Sequence, residues 1–508
     1  IKIVICRTKV VFMLRIRTIT TGSGAKAVQV IYYLNRKRIV FKHIGSAKSE
    51  EDLKELLILA EDFIHNYTPE LPFEEEVKFD NLMYLHKTQF IGVYYTYAYE
   101  ILLKTITQIG LNKVGTQLLL DLIVLRIIEP VSKLRSIELL NEYFGIKHRR
   151  QSFYKSAPSW LTLKNSAEEI IIEFAKKSYD FTFDLVFYDI TTLYFEAFQE
   201  DELRKNGFSK DNKSQQPQIL VALMVSKEGF PVSYEIFPGN TFEGHTILPV
   251  VQSFIQKHSV KKLTIVADAA MISMDNVQKF NQDKLNYIVG ARIANLPTSL
   301  INFISKSLNK EDGKNIRVQT DKGHLICSFS SVRFRKDKYE MDKQIEKAKT
   351  LVQTPSKCKK LKFTTVKAEK VKLNKELIEK TTKILGIKGY YTNLSESEVS
   401  NDTVITQYHE LYRIEQAFRV AKSDLQTRPI FHYKEDPIKL HLLICFIALS
   451  VAKHIELQTG ISIKRFKNEL KKVTDARMLN QLTNKEIKIR TQITPYIQQI
   501  IDKLNLPH

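Results

Sequence analysis

The chain has 508 residues, of which 44% are hydrophobic and 26% are charged. At about 150 residues per domain, this length predicts roughly three structural units and a sizeable core. Lys and Arg total 77 against 56 Asp and Glu, and the net charge of +21 favours a polyanionic partner, nucleic acid before a membrane surface. The four cysteines form no CxxC pair, so they support neither a zinc ribbon nor a disulfide framework and indicate reduced thiols.

The first part of the chain predicts a small β unit followed by a helix. Its first twelve residues mix apolar and basic side chains without a small-residue cleavage site, so we expect no signal peptide, and Met13 is a candidate natural start. Residues 14–45 alternate apolar and polar side chains around a basic turn, which predicts a β-hairpin. Residues 49–65 have a helical period, and two prolines within 67–76 indicate a linker.

Residues 93–178 are predicted to be mostly helical. Glu129-Pro130 interrupts this stretch, and Ser132 is the expected N-cap of the helix that follows. A helix-turn-helix that contacts DNA is one interpretation, and an ordinary helical hairpin with solvated charges is the other. The basic residues on which the first interpretation depends are Lys133, Arg135, Lys147, His148, Arg149 and Arg150.

The middle of the chain predicts a mixed sheet flanked by helices. Apolar runs and alternating stretches indicate strands, and apolar residues that recur every three or four positions indicate helices between them. In chain order, the predicted elements are strand 185–194, hairpin 217–237, helix 245–257, strand 263–268, helix 273–283 and strand 287–292.

A basic segment follows this region. Residues 295–405 contain short alternating stretches, which predict an inserted domain with β character. Residues 331–380 carry 16 Lys or Arg and 7 Asp or Glu, a net charge of +9. Such a run is often only a solvated face, but its position between two parts of the core favours contact with DNA. The apolar stretch at 440–451 is too short to span a bilayer and predicts a buried helix.

Two aspartates stand in otherwise apolar strands. Asp189 lies within the first predicted core strand, and Asp268 ends the fourth. Burying a carboxylate without a partner is costly, so each is either a capping or salt-bridged residue or a metal ligand. Divalent cations held by oxygen ligands suit phosphodiester transfer, because two ions stabilise the attacking and the leaving oxygen. The pair is therefore a candidate catalytic site.

A third carboxylate lies in the predicted helix at 408–432. Tyr408, Glu415 and Lys422 are spaced at seven residues, which places them on one helical face. Glu415 would enter a metal site while the phenol and the ammonium point to phosphates. The alternative is an amphipathic helix in which Glu415 pairs with Arg419.

Five motifs occur in order along the predicted core and its C-terminal helix. They are FYDITTLYFE at 187–196, GFSKD at 207–211, EIFPGNTFEGHT at 235–246, IVADAAMIS at 265–273 and IEQAFRVAKSDLQTRPIFH at 414–432. Together they resemble the transposases of bacterial insertion sequences, in the group named for its Tyr, Arg, Glu and Lys signature. The resemblance extends through HLLICFIALSV at 441–451 and more weakly to the N-terminal hairpin.

The resemblance implies a mixed α/β fold with an RNase H-like catalytic core, in which the two aspartate-bearing strands are neighbours. It implies that Asp189, Asp268 and Glu415 bind two divalent cations, Mg²⁺ with Mn²⁺ as a substitute, and carry the catalysis. The intervals of 79 and 147 residues fit this assignment, since the second is long enough to hold the β-rich insertion of such enzymes. Tyr408, Lys422 and Arg419 are the expected DNA-binding residues.

The match to the signature is incomplete. The place of the signature Arg is taken by Leu411, and Arg413 lies nearby on another helical face. The family's insertion also presents an aromatic residue to a flipped base. The chain's one Trp, Trp160, is outside the insertion, so Tyr390 or Tyr391 is the candidate for that role.

The expected organisation has a small N-terminal β unit and helical regions on both sides of the interrupted core. Its segments are a β-hairpin unit at 1–47, a helical and DNA-end-binding region at 48–180, the first part of the core at 181–294, the insertion at 295–405, the core helix at 406–432 and a C-terminal helical region at 433–508.

The expected activity is metal-dependent cleavage at insertion-sequence ends and strand transfer into target DNA. Partners are double-stranded DNA, as terminal inverted repeats and target, and a second copy of the chain, with no membrane, in the bacterial cytoplasm at the nucleoid. The alternatives are another RNase H-like nuclease, an inactive DNA-binding transposon relic and a carboxylate hydrolase acting on sugars. The net charge of +21 and the Tyr-Glu-Lys spacing fit the last of these poorly.

Overall fold

The computed structural model describes residues 3–5, 11–34, 36–67, 87–196, 198–208, 215–271, 273–353, 361–367, 370–481 and 484–506. The predicted linker at 67–76, apart from its first residue, lies outside them, and so do three residues of the motif at 207–211. The chain divides into two compact units. One comprises Ile1–Ile101, Leu140–Ile146 and Asn468–Gln499, and the other comprises Leu102–Leu139, Lys147–Lys467 and Ile500–His508.

The described elements alternate between strands and helices along the chain. The strands are β1 Ile3–Ile5, β2 Val11–Met13, β3 Arg15–Thr20, β4 Lys26–Leu34, β5 Lys37–Ala47, β6 Thr88–Tyr94, β7 Leu185–Tyr194, β8 Gln218–Val225, β9 Pro231–Pro238, β10 Thr264–Ala267, β11 Asn286–Ala291, β12 Asn315–Thr320, β13 Gly323–Phe329, β14 Thr364–Lys367, β15 Lys370–Leu373, β16 Ile387–Thr392, β17 Asp475–Asn480 and β18 Lys485–Arg490. The helices are α1 Glu50–Asn66, α2 Thr96–Ile109, α3 Gln117–Ile128, α4 Lys133–Phe144, α5 Arg150–Trp160, α6 Lys164–Tyr179, α7 Ile247–His258, α8 Met274–Gln282, α9 Thr298–Leu308, α10 Ser331–Gln353, α11 Lys375–Ile384, α12 Asn401–His409, α13 Tyr412–Arg419, α14 Glu435–Thr459, α15 Ile463–Leu470 and α16 Pro495–Asp502.

The first unit contains two three-stranded antiparallel sheets. The predicted N-terminal hairpin is confirmed and extended to the sheet β3-β4-β5, against which α1 packs through apolar residues such as Val28 and Leu56. The second sheet has the order β18-β17-β6. Its buried Asp475 accepts hydrogen bonds from Arg490 at 2.8 Å and pairs with Lys488 at 3.0 Å, so the carboxylate is not left uncompensated.

The second unit is built on an eight-stranded sheet with the order β12-β13-β16-β11-β10-β7-β8-β9. Strands β7, β8 and β9 are antiparallel, whereas β10 pairs in parallel with both β7 and β11. The order β9-β8-β7-β10-β11 is the mixed sheet expected of an RNase H-like core, and every predicted core element is present. Strand β8 lies in the interior of this sheet and is buried along its whole length, from Gln218 to Val225, which is why its sequence is almost entirely apolar.

The inserted segment contains more helix than its sequence pattern predicted. Strands β16, β13 and β12 extend the core sheet, while α9, α10 and α11 accompany them. The 23-residue helix α10 begins the basic tract, and it buries Met341 and Ala348 against Phe363 and Leu385. The apolar residues at 341, 345, 348 and 351 have helical spacing, but the density of charge around them hides it.

Helix α14 is the central helix of the second unit. By length and composition it could cross a membrane, but 94% of its most apolar window is buried inside the protein. The helix is therefore the core helix that the apolar run at 440–451 predicted. At 25 residues it is longer than that run, because polar turns such as Glu435-Asp436 continue it beyond the apolar stretch.

The interruption at Glu129-Pro130 is confirmed, since α3 ends at Ile128 and the Ser132 hydroxyl accepts a hydrogen bond from the backbone N–H of Arg135. Helix α3 is buried from Leu118 to Ile128, which favours a core helix over an exposed groove-binding one. The basic residues after it divide into two groups. Lys133 is buried, whereas Lys147, Arg149 and Arg150 are exposed and able to contact DNA.

Lys133 lies in a buried cluster of basic groups. Its Nζ is 2.6 Å from His432 Nε2 and donates to the carbonyl of Pro437, while Arg126 and His441 are close enough to act on the same site. Burial, followed by the charge of Arg126, lowers the pKa of Lys133 to about 7. Burial and these neighbouring cations also lower the pKa of His432 to about 4, so both imidazoles are neutral near pH 7.

We expect the Lys133→Met variant to lose a pH dependence of stability. The unfolded chain binds a proton at this position below about pH 10.5 and the folded chain only below about pH 7, so unfolding takes up a proton between these values. The free energy of unfolding therefore rises with pH across this window, by up to about 5 kcal/mol. Thermal or urea unfolding from pH 6 to 10 should show a flatter profile for Lys133→Met. The exposed Lys439→Met control should keep the wild-type slope, and equal slopes for all three proteins would contradict the prediction.

Candidate active site

Asp189 and Asp268 lie on neighbouring parallel strands of the core sheet. The printed pairing of β10 with β7 runs from Thr264 opposite Leu185 to Val266 opposite Phe187. Continuing this register by two residues places Asp268, which directly follows β10, opposite Asp189 in β7. Both side chains are half-buried. The adjacency that the family resemblance implied is therefore present in the fold.

Backbone N–H groups orient both aspartates. Asp189 Oδ1 accepts a hydrogen bond from the N–H of Ile190 at 2.7 Å, and Asp268 Oδ1 accepts one from the N–H of Ala270 at 2.5 Å. A hydrogen bond to a carboxylate favours its charged form. These hydrogen bonds fix the orientation of both carboxylates at the ends of the strands.

Glu415 lies on α13, which packs against β7 and β8. The single helix predicted for 408–432 is interrupted. Helix α12 ends at His409, α13 begins at Tyr412, and a π-helical turn at Val420–Asp424 follows. Glu415 is exposed, and within the described residues it forms no ion pair with Arg419, so the amphipathic-helix alternative lacks its expected contact. Tyr408, Glu415 and Lys422 therefore lie on three different elements, and their spacing of seven does not by itself place them on one helical face.

Tyr408 lies close enough to all three carboxylates to interact with them electrostatically. Burial, followed by the charges of Asp268, Tyr390, Glu415 and Asp189, raises the pKa of its phenol to about 12. All three acids are therefore near enough to act on one hydroxyl. The ring of Tyr408 lies 4.8 Å from that of Tyr390, and Gly290 in β11 leaves the space that its hydroxyl occupies.

The other signature positions differ in environment. Lys422, in the π turn, lines a pocket with Thr191 and Leu193, which share the face of β7 that carries Asp189. Arg419 is exposed at the end of α13. Leu411, at the place of the signature Arg, is buried at the helix break, and its apolar side chain provides no cation.

Arg413 does not replace the missing signature Arg. Its guanidinium lies 3.3 Å from Glu410 and its Cβ is next to Gly229, at the turn between β8 and β9. Of the two tyrosines proposed to hold a flipped base, Tyr390 is fully buried and presents no ring face. Tyr391 is only 6% exposed but lines a second pocket together with Arg292 and Lys322.

A cleft of positive character runs beside the carboxylates. It is bordered by Ala269, which follows Asp268, and by Tyr408. Four basic residues line it, and the inserted segment supplies three of them. These residues are Arg292, Arg333, Lys362 and Lys388, and they outnumber the two carboxylates of the lining, Asp337 and Glu340. Sequence reasoning found the basic tract but not Lys388, because a lone Lys in the strand sequence IKGYYT has no distinctive spacing.

The donor chemistry of Asp189, Asp268 and Glu415 suits a hard divalent cation, because all three offer carboxylate oxygens. Across the part of the chain that the structure describes, however, no group of three or more His, Cys, Asp and Glu side chains already stands at metal-binding distance. Glu415 is exposed on the short helix α13, whereas Asp189 and Asp268 are half-buried at the core sheet.

Two solved transposase structures are similar to the chain, though too weakly to support an argument. They are a piggyBac transposase synaptic complex with hairpin DNA (10% identity, 74% of this chain and 70% of that chain, TM-score 0.35) and a Mos1 transposase paired-end complex with left transposon end (12%, 37% and 57%, TM-score 0.16). No curated protein matches the chain. The family described as transposase DDE domain matches residues 183–451, more than half of the sequence, and includes all three carboxylates. The chain therefore belongs to the DDE transposase family.

Proposed function

We propose that this transposase cleaves DNA at the ends of an insertion sequence of the Tyr-Arg-Glu-Lys group and joins the freed 3′-hydroxyl to target DNA. The observation that carries the proposal is the placement of Asp189 and Asp268 opposite one another on adjacent parallel strands, with Glu415 on a helix packed against them. Carboxylates from three separate elements are what a phosphodiester transferase needs to assemble a site around DNA.

Asp189, Asp268 and Glu415 would hold two Mg²⁺ ions, or Mn²⁺ in their place. Bound divalent ions supply Lewis-acid activation of the attacking oxygen and stabilise the charge on the leaving oxygen. The N–H groups of Ile190 and Ala270 would orient Asp189 and Asp268 toward these ions. Lys422, Arg419 and Tyr408 would bind the phosphates on either side of the cleaved bond.

The DNA partners are the terminal inverted repeats of the element and the target duplex. Because two ends are joined in one event, we propose that a homodimer forms in the DNA complex, in the bacterial cytoplasm at the nucleoid. The net charge of +21 supports binding to the phosphate backbone, which carries affinity without sequence information.

The test uses purified protein, a labelled duplex carrying the element's own ends, a plasmid target and Mg²⁺ or Mn²⁺. We expect metal-dependent end cleavage and joining, and we expect Glu415→Gln to reduce both on the order of 10³-fold by removing a charged ligand without changing its shape. Glu410→Gln is the matched control, since Glu410 lies five residues away but pairs with Arg413.

Each of the other outcomes would contradict a different part of the proposal. Cleavage without joining would indicate an RNase H-like nuclease rather than a transposase. Tight binding to the ends with neither reaction, in both metals, would indicate a catalytically inactive DNA-binding relic. Full activity in Glu415→Gln would leave the transposase in place but remove Glu415 as its third carboxylate.

A further inference from the structure

Lys388 is a half-buried cation at the edge of the candidate active site. It lies in β16, the strand by which the inserted segment joins the core sheet next to β11. Its Nζ lies 4.9 Å from the ring centre of Tyr408 and 5.6 Å from that of Tyr390. Two aromatic faces on one ammonium fix its position, because each attracts the charge and together they restrict the side chain.

The charge of Lys388 has no protein counterion at contact distance. Among the residues that the structure describes, no carboxylate lies within 4 Å of its Nζ, and Glu415 acts on it only from farther away. Burial, with the charge of Arg333, lowers the pKa of Lys388, which means that the protein holds this ammonium at an energetic cost. A cation kept in such a place is stabilised when an anion enters.

The surroundings indicate which anion enters. Lys388, Arg333 and Arg292 line one cleft that also borders Ala269, the residue after Asp268. Asp337, which pairs with Arg333 at 3.3 Å, and Glu340 also line the cleft, so basic side chains outnumber carboxylates there and, within the described part of the chain, Lys388 is a basic group without a carboxylate at contact distance. A chain of phosphodiesters held by metal ions at Asp268 and Glu415 would place its next phosphate in this cleft.

We propose that Lys388 binds the DNA phosphate next to the cleaved bond and so positions the strand for attack. The proposal rests on the transposase reaction above and adds a residue to it. The signature has an Arg where this chain has Leu411, so that position provides no cation. Lys388, from the inserted segment, provides a cation beside Tyr408 instead. Lys is suited to this role as a point charge that meets a single phosphate oxygen.

The proposal is tested by removing each charge of the pair in turn. The substrates are end duplexes with one neutral methylphosphonate at each position flanking the cleaved bond, and the proteins are wild type, Lys388→Met, Lys388→Arg and Lys176→Met. Lys176 is the matched control because its Nζ also lies over an aromatic ring, Phe183 at 5.1 Å, but it pairs with Glu173.

We expect Lys388→Met to slow single-turnover cleavage of unmodified DNA on the order of 10²-fold, and Lys388→Arg to recover most of that loss. One methylphosphonate should slow wild type and Lys176→Met by a similar factor but leave Lys388→Met no slower, because its interaction is already gone. If every methylphosphonate slows Lys388→Met as much as wild type, or if only thermal stability falls, Lys388 is a structural support and the proposal is wrong.

A second measurement does not depend on cleavage. The salt dependence of end binding, without divalent metal, should become shallower by about one unit in Lys388→Met and remain unchanged in Lys176→Met. If the slope differs in this way between wild type and Lys388→Met but wild type never cleaves, the proposed function is refuted and Lys388 remains a phosphate contact. An unchanged slope would refute the phosphate contact alone.

Discussion

The Asp268→Asn variant is expected to bind element ends as tightly as wild type in the absence of divalent metal, and to cleave them on the order of 10³-fold more slowly in its presence. Asparagine keeps the volume of the side chain and still accepts the hydrogen bond from Ala270 N–H, but it loses the negative charge that a divalent cation requires. The same reasoning applies to Asp189→Asn, whose amide oxygen still accepts from Ile190 N–H. Because the two carboxylates act as a unit, the double variant should be little slower than either single one.

The matched control for this prediction is Asp283→Asn. Asp283 is an exposed residue at the end of α8, where it accepts a hydrogen bond from Gln252 at 2.8 Å, away from the sheet edge. Single-turnover cleavage, gel-shift binding and thermal unfolding should be measured on wild type, the two single variants, the double variant and the control. Cleavage at the wild-type rate by a verified Asp268→Asn preparation would show that the strand-borne aspartate is a capping residue of the turn at Ala270 and nothing more.

The core of this fold could be predicted because its signals are local. The strand at β7 and the hairpin of β8 and β9 follow from apolar runs and alternation, and helices α7 and α8 follow from their spacing. The pairing of β10 with β7 could not be predicted in this way. It joins residues about 79 positions apart, and no periodicity within either strand specifies its neighbour. Only the resemblance to a known family supplied it.

The candidate site was predictable to a similar depth. Carboxylates in apolar strands are conspicuous in a sequence because burying them is costly, and this singled out Asp189 and Asp268. The helix break at Glu410-Leu411 has no Pro or Gly to mark it, so the spacing of seven predicted one continuous face. Lys388 was missed for the opposite reason, since its role depends on two aromatic rings, and the Tyr408 ring is brought to it by tertiary packing.

The same packing explains why a glycine stands near the end of β11. A Cβ on Gly290 would lie 2.4 Å from Tyr408 Oη and 3.1 Å from its Cζ, closer than non-bonded atoms approach. The phenol has little freedom to retreat, because Tyr390 contacts one side of its ring and Lys388 lies over a face. Gly290 is thus part of the site without any functional group, as the space that positions Tyr408 among the carboxylates.

We therefore expect Gly290→Ala to fold with a loss of about 1–3 kcal/mol in unfolding free energy and to cleave on the order of 10²-fold more slowly. The cause is displacement of Tyr408, so a second change should reveal it. Tyr408→Phe removes the nearest clashing atom, and the double variant Gly290→Ala/Tyr408→Phe should be more stable than Gly290→Ala alone, with cleavage no slower than in Tyr408→Phe. Urea unfolding and single-turnover cleavage of the four proteins close this cycle. Additive losses would mean that the methyl group disturbs the strand itself, and that the position of Tyr408 is not what Gly290 protects.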